Sequence, residues 1–271
     1  MNFEIYNEDC IKTMERFEDG GIKVDLVLTS PPYNNSRRSC TDKSRIKIEY
    51  NKYDVYNDLM TNEEYYNWSV ELFKHFDKIL NPNSVVLYNI NYSAENAECL
   101  WLTISNIIQH TNFVPADCVI WKKKSALPVA PSPNKLTRIT EFVFVMVRKD
   151  ELKTYRTNKK VVTHNSKGQP YYEIFYNLFE ASNNDGSCKL NKATFSSDFV
   201  VELLKMYARD NYVVYDPFNG TGTTCVGCFK YNPTLTYYGS EISPNQCEYS
   251  RNRVNEILQR NTNNTLDEIL E

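Results

Sequence analysis

Two stretches of this 271-residue chain combine residue types that could do chemistry. The first is Thr29-Ser30-Pro31-Pro32-Tyr33-Asn34, which closes the apolar run Val24-Asp25-Leu26-Val27-Leu28. Consecutive prolines fix φ and remove backbone donors, so the segment is stiff and extended. The carbonyls of Ser30 and Pro31 then lack ladder partners. The result is an acceptor-rich edge and one flat ring at the end of a strand. The second stretch begins at Tyr212-Val213-Val214-Tyr215 and runs into Asp216-Pro217-Phe218-Asn219-Gly220-Thr221-Gly222-Thr223-Thr224. Strand, Gly-x-Gly turn and helix allow a sharp bend and a close approach of backbone to a ligand.

The glycine turn is not a phosphate loop of the Walker kind, because no Lys-Ser/Thr follows it. It also lacks the third glycine of the dinucleotide fingerprint. Gly239-Ser240-Glu241 comes roughly twenty residues later, after another strand. An acid there can accept both hydroxyls of a ribose. A nucleoside-type cofactor without a phosphate site is indicated, which suits S-adenosylmethionine better than NAD or ATP.

These stretches need a sheet to hold them. Phe3 to Tyr6 alternates like a strand, and Ile11, Met14 and Phe17 sit at helical spacing before Gly20-Gly21. With the strand into Ser30 this makes a βαβ unit and implies a parallel sheet. Thr61 and Glu64 form a capping box that opens a helix to Ile79. Strands follow at 85–88, 118–121 and 141–147, with a helix at 94–110 between the first two. A helix at 197–208 and a strand at 212–215 lead into the glycine turn, and a last helix spans 244–258. Residues 35–60 read as a long functional loop. Residues 149–190 break the alternation and are polar, basic and aromatic. They read as a small inserted module, with a disordered excursion as the competing reading that the aromatic content opposes.

Hydrophobic residues make up 41% of the chain, enough for an ordinary core. No membrane-length apolar run or signal peptide is seen, so a cytoplasmic protein is expected. Eight scattered cysteines are too sparse for a disulfide scaffold. Net charge is −3, which argues against a general polyanion binder. The distribution is uneven: residues 35–47, 122–138 and 148–167 hold five, five and seven Lys/Arg against one, none and two acids. One basic face is the functional reading, and ordinary solvated charge the bland one.

Together the two motifs resemble those of the amino-methylating DNA methyltransferases, which act on N4 of cytosine or N6 of adenine. Ser30-Pro31-Pro32-Tyr33 matches their acceptor motif, and Asp216-Pro217-Phe218-Asn219-Gly220-Thr221-Gly222 their cofactor motif. The acceptor motif comes first, an order that resembles the β group. The resemblance implies an α/β, Rossmann-like S-adenosylmethionine-dependent fold with a mostly parallel, circularly permuted sheet. Residues 212–241 would supply its first two strands and residues 3–9 the third. It implies a catalytic half at 1–148, a target-recognition insert at 149–190, a cofactor half at 191–260 and a polar tail at 261–271. Asp9 would face the adenine end of the cofactor, and Thr194 and Phe195 its methionine end. Thr29, Asp216 to Thr223 and Glu241 complete the cofactor set: Asp216, Pro217, Phe218, Asn219, Gly220, Thr221, Gly222 and Thr223 form its turn.

An exocyclic amino group is a weak nucleophile, since its lone pair is delocalised into the ring. A sulfonium methyl is a good electrophile. Catalysis therefore needs in-line placement and polarised N–H bonds more than a strong base. Ser30 (side chain, carbonyl or both) and the Pro31 carbonyl would accept the amino hydrogens. Pro32 keeps the edge rigid, and Tyr33 would stack on a base flipped out of the duplex. Serine in the first position resembles N4-cytosine enzymes more than N6-adenine ones. Arg37, Arg38, Lys122, Lys123 and Lys124 are the expected phosphate contacts.

Expected partners are double-stranded DNA and a cognate restriction endonuclease, with the chain a monomer or homodimer. No metal is expected: Cys225 and Cys228 have zinc-like spacing but sit on a helix, where core packing is the bland reading. His75, His110 and His164 show no ligand spacing. Methylation of RNA or of protein glutamine is a second enzyme reading, and a non-catalytic nucleic-acid-binding module is a reading from another class.

Overall fold

The computed structural model describes residues 2–34, 60–92, 96–126, 128, 133–186, 190 and 194–270, with side chains described as far as Gln259. Ten strands and six α-helices follow in chain order: β1 Asn2–Tyr6, α1 Cys10–Gly20, β2 Val24–Thr29, α2 Asn62–Ile79, β3 Leu80–Ile90, α3 Ala97–His110, β4 Phe113–Lys123, β5 Thr140–Arg148, β6 Val161–His164, β7 Pro170–Tyr172, β8 Leu178–Ala181, α4 Ser197–Tyr207, β9 Val213–Asp216, α5 Thr223–Tyr231, β10 Thr236–Ser240 and α6 Pro244–Leu270. Eight strands form one sheet in the order β1-β10-β9-β2-β3-β5-β4-β8. Pairing is parallel from β1 through β3 and between β4 and β8; only β5 runs against its neighbours.

The expected permutation is present. β9, β10 and β1 lie side by side although β1 opens the chain. Helices cover both faces. Successive residues of a strand point to opposite faces, so Leu26, Leu28, Val85 and Leu87 pack with α4, α5 and α6, while Val27, Val86 and Tyr88 pack with α1, α2 and α3. This two-sided burial is why the central strands read as continuous apolar runs. Each fully buried Val, Leu or Phe among them contributes about 1.5–3 kcal/mol relative to leaving it exposed.

Local chemistry sets the helix ends that matter for the site. Asp9 caps α1 by accepting from the Ile11 N–H at 2.8 Å, and Gly21 closes it in the left-handed region. Thr61 and Glu64 make the expected reciprocal capping box on α2. Ser196 caps α4 through the Phe199 N–H.

Four differences from the sequence reading have physical causes. β3 begins at Leu80, earlier than expected, because Leu80 pairs with Val24 before residues 81–84 bulge, with Asn83 at φ 61. β4 is longer at both ends than its apolar centre suggested. α6 runs on to Leu270, through the expected polar tail. The 149–190 segment divides in two. β6 and β7 form a separate hairpin whose residues are all exposed, whereas β8 joins the main sheet at its edge beside β4.

That segment also leaves β5 at the sheet edge opposite the acceptor motif. Lys149 Nζ donates to the carbonyls of Ile108 and Thr111 at the end of α3. Asn158 donates to carbonyls at the end of α4. β8 then brings the chain back: the Ala181 carbonyl accepts from Lys124 N and from Trp121 Nε1. Among the described residues no helix is long and apolar enough to cross a membrane.

Candidate active site

The carboxyl ends of the parallel strands gather the predicted residues in a row. Asp9 lies beyond β1, Glu241 beyond β10, the glycine turn beyond β9 and the acceptor motif beyond β2. Because β5 is reversed, its first residues, Thr140 and Glu141, reach this same edge, beside Asn89 near the end of β3. Ligands of open α/β sheets bind along this edge.

The two motifs touch. Thr29 Oγ1 donates to Asp216 Oδ1 at 2.8 Å, in a buried setting. Asp216 also accepts from the Phe218 N–H at 3.0 Å and from Thr224 Oγ1 at 2.5 Å. Burial pushes its carboxyl up to about 6, against the opposing pull of the hydrogen bonds from Thr224, Phe218 and Thr29. Helix α2 ties the motifs together a second time. Tyr65 donates to the Pro32 carbonyl at 2.6 Å, Tyr65 packs on Trp68, and Trp68 packs on Phe218 with ring centroids 5.5 Å apart.

The glycine turn is closed on itself. Asn219 N–H donates to the Ser240 carbonyl, Gly222 N–H to the Asn219 carbonyl, and Gly220 N–H to Glu241 Oε2 at 2.8 Å. A phosphate-binding turn keeps such N–H groups pointed at its ligand. Here the N–H groups of Asn219, Gly220 and Gly222 are spent internally, that of Gly220 on the Glu241 carboxylate. Glu241 Oε1 accepts in turn from the Ser243 N–H at 2.9 Å. Gly222 has φ 80, and a Cβ there would lie 2.1 Å from Ser250 Oγ. Pro217 and Thr221 are buried within the turn, and Thr223 starts α5. A carboxylate against the turn suits an uncharged or cationic nucleoside better than a polyphosphate.

Thr194 and Phe195 stand just before α4, with Phe195 packed on Phe199 at 5.2 Å. Arg253 links this region to the turn. It donates to the Thr221 carbonyl and Thr223 Oγ1, and pairs with Asp185 at 2.6 Å. Asp185 in turn accepts from the Ser197 N–H and hydroxyl.

On the acceptor side a buried polar cluster surrounds Ser30 and Tyr33. Ser30 Oγ and Tyr33 Oη are 2.8 Å apart, and Tyr33 donates to Glu141 Oε2 at 2.9 Å. Asn89 Nδ2 donates to Tyr33 Oη at 2.9 Å and to Glu141 Oε2 at 3.2 Å. Glu141 Oε1 is ion-paired with Lys123. Asn89 and Glu141 are only 1% and 8% exposed, and Asn89 Oδ1 has no hydrogen-bond partner among the described residues.

Asn89, Glu141, Tyr65 and Trp68 were not singled out from the sequence. For Glu141 the available signal was a lone acid at the mouth of the apolar run Phe142 to Val147. The three lysines separate: Lys122 pairs with Glu180 at 2.7 Å on the surface, Lys123 is committed to Glu141, and Lys124 is exposed. Arg37 and Arg38 lie outside the described residues. Cys225 and Cys228 are free thiols buried in the core on α5, and burial pushes both thiols up.

Comparison with known proteins agrees with this geometry. The family model described as DNA methylase, for N6 and N4 methyltransferases, matches residues 24–252. The Type II methyltransferase M.BglII of Bacillus subtilis is 23% identical over 88% of this chain, which spans 65% of that protein's length. The crystal structure of an M1.HpyAVI–SAM complex superposes with a TM-score of 0.58 at 18% identity, covering 93% of this chain and 99% of that one. The cytosine-N4-specific PvuII DNA methyltransferase gives a TM-score of 0.65 at 16% identity over 93% of this chain and 86% of its own. The chain therefore belongs to the DNA methylase family of N6 and N4 amino-methyltransferases.

Proposed function

We propose that this chain methylates the N4 amino group of a cytosine flipped out of duplex DNA, using S-adenosylmethionine, as the modifying half of a restriction-modification system. The observation that carries the reading is the Thr29–Asp216 hydrogen bond, which sets the acceptor motif against the cofactor turn on adjacent parallel strands. Bound S-adenosylmethionine supplies an electrophilic methyl on a sulfonium. Glu241 takes its ribose, Asp9 its adenine end, Thr194 and Phe195 its methionine end, and the 216–223 turn its body. The closed N–H groups of that turn support a cofactor without phosphates.

The protein's own task is to hold the amino group and polarise it. The Ser30 hydroxyl and the Pro31 carbonyl accept its hydrogens, so that nitrogen becomes more tetrahedral and nucleophilic. Tyr33 presents its ring to the extruded base. DNA lies along the carboxyl edge, with Arg37, Arg38, Lys122 and Lys124 as its phosphate contacts, while Lys123 stays paired with Glu141. Of the 149–190 segment, residues 182–186, which follow β8, lie at this edge and take part in reading the target sequence. Serine at position 30, and the likeness to the cytosine-N4-specific PvuII methyltransferase, support cytosine over adenine.

The test is direct. Duplex DNA is incubated with the chain and S-adenosylmethionine carrying a labelled methyl, then hydrolysed to nucleosides. Label in N4-methyl-2′-deoxycytidine is expected. Label in N6-methyl-2′-deoxyadenosine transfers the same mechanism to adenine, and no label with measurable cofactor binding makes the chain a binding module.

A further inference from the structure

The geometry assigns Glu141 a positioning role: through Tyr33 it fixes the hydroxyl of Ser30 as an acceptor facing the substrate amino group. The Glu141 carboxylate, ion-paired with Lys123, has no hydrogen to give. The single hydroxyl hydrogen of Tyr33 therefore goes to Glu141 Oε2, at 2.9 Å. Tyr33 Oη and Ser30 Oγ are 2.8 Å apart, and one of them must donate. Tyr33 has no second hydrogen, so Ser30 is the donor. The two hydrogens of Asn89 Nδ2 are best placed toward Tyr33 Oη at 2.9 Å and Glu141 Oε2 at 3.2 Å; its approach to Ser30 Oγ is longer, 3.4 Å.

Every donor in the cluster thus points toward Glu141, and the lone pairs of Ser30 are left for a ligand. A serine hydroxyl is ordinarily ambiguous, donor or acceptor. An amino group to be methylated needs an acceptor, and a hydroxyl offering its hydrogen instead would compete for the nitrogen lone pair. The chain Ser30, Tyr33, Glu141 removes that ambiguity, and charge-assisted hydrogen bonds at its end strengthen the acceptor at its head. The arrangement moves no proton; it sets the direction of one. This inference rests on the proposed amino-methylating function.

The test uses Glu141→Gln, Tyr33→Phe and the double variant. Tyr33→Phe keeps the ring and removes only the link. Each single variant is expected to lower the single-turnover methylation rate by about tenfold or more, and the double variant no further. Cofactor affinity by calorimetry and KM for DNA are expected to stay at wild-type values, because the chain acts on the amino group alone.

A second readout needs no catalysis. In protein labelled with 13C at tyrosine Cζ, the Tyr33 resonance is identified by its loss in Tyr33→Phe. It is expected to move upfield in Glu141→Gln, as donation to a carboxylate ends. An unmoved resonance, or a wild-type methylation rate in Glu141→Gln, overturns the inference. Wild-type protein that methylates no DNA while the resonance still moves overturns the proposed function and leaves the hydrogen-bond direction standing.

Discussion

Thr29 Oγ1 and Asp216 Oδ1 meet at 2.8 Å although 187 positions separate them in the chain. Parallel pairing of β2 with β9 makes this contact unavoidable, since both strands end at the same edge. Thr29→Val keeps the shape and removes the donor from a buried carboxylate. The variant is expected to lose about 1–3 kcal/mol in urea unfolding. Cofactor affinity should fall with it, because the strand ends that carry both motifs lose their cross-link.

Asp216 makes the stability of the protein depend on pH. Its folded value is raised from 3.8 to about 6, chiefly by burial. Between those values the folded state holds a proton that the unfolded state has released. Stability from this residue is therefore greatest below pH 3.8 and declines as pH rises through 6. Asp216→Asn carries no such penalty. Its stability relative to wild type is expected to be on the order of 1 kcal/mol more favourable at pH 8 than at pH 5. Urea midpoints of both proteins at the two pH values check this, and a pH-independent difference would contradict it.

Ser30 and the glycine turn were readable from sequence because each closes an apolar strand with residues of unusual backbone character. The rest of the site was not. Asn89 and Glu141 are single polar residues at the ends of apolar runs, where a polar residue ordinarily marks only a boundary. Their meaning depends on β5 running backwards, and periodicity within one strand does not report the direction of its neighbour. β6 and β7 are exposed on both faces, so they carry no alternation to detect. Lys123 read as one of three equivalent lysines, although alternation along β4 sends its neighbours outward.

Gly222 tests how tightly the turn is built. Its φ of 80 would strain any alanine by about 1–2 kcal/mol. A Cβ would also collide with Ser250 Oγ. Gly222→Ala is expected to be clearly destabilised, and adding Ser250→Ala should return part of the loss. The pair should cost at least about 1 kcal/mol less than the sum of the singles, leaving the backbone strain as the remainder. Simple additivity in chemical denaturation would place the strain elsewhere.

Adjacent lysines should behave differently. The Lys122–Glu180 pair is about half exposed on both sides, so Lys122→Met is expected to change stability by less than about 1 kcal/mol. Lys123 faces Glu141, whose side chain is 11% exposed. Removing that ammonium leaves a carboxylate in the pocket with hydroxyl and amide donors only. Lys123→Met is expected to cost on the order of 3 kcal/mol. Equal effects of the two substitutions on thermal midpoints would count against the buried cluster.

Glu241 separates the cofactor half from the acceptor half. Its two oxygens take the N–H groups of Gly220 and Ser243, and in the proposed function the same carboxylate takes the ribose hydroxyls. Glu241→Gln turns an –NH2 toward one of those N–H groups, so a donor faces a donor and one ribose acceptor is lost. A hydrogen bond to a charged group is worth about 1.5–3 kcal/mol, so S-adenosylmethionine affinity should fall by about 10- to 100-fold. DNA affinity without cofactor should hold, because Glu241 stands beyond β10, two strands away from the acceptor motif beyond β2. Calorimetry with the cofactor and gel-shift titration with duplex DNA make the comparison, and an equal loss in both would mean that the carboxylate supports the whole edge and is not specific to the cofactor.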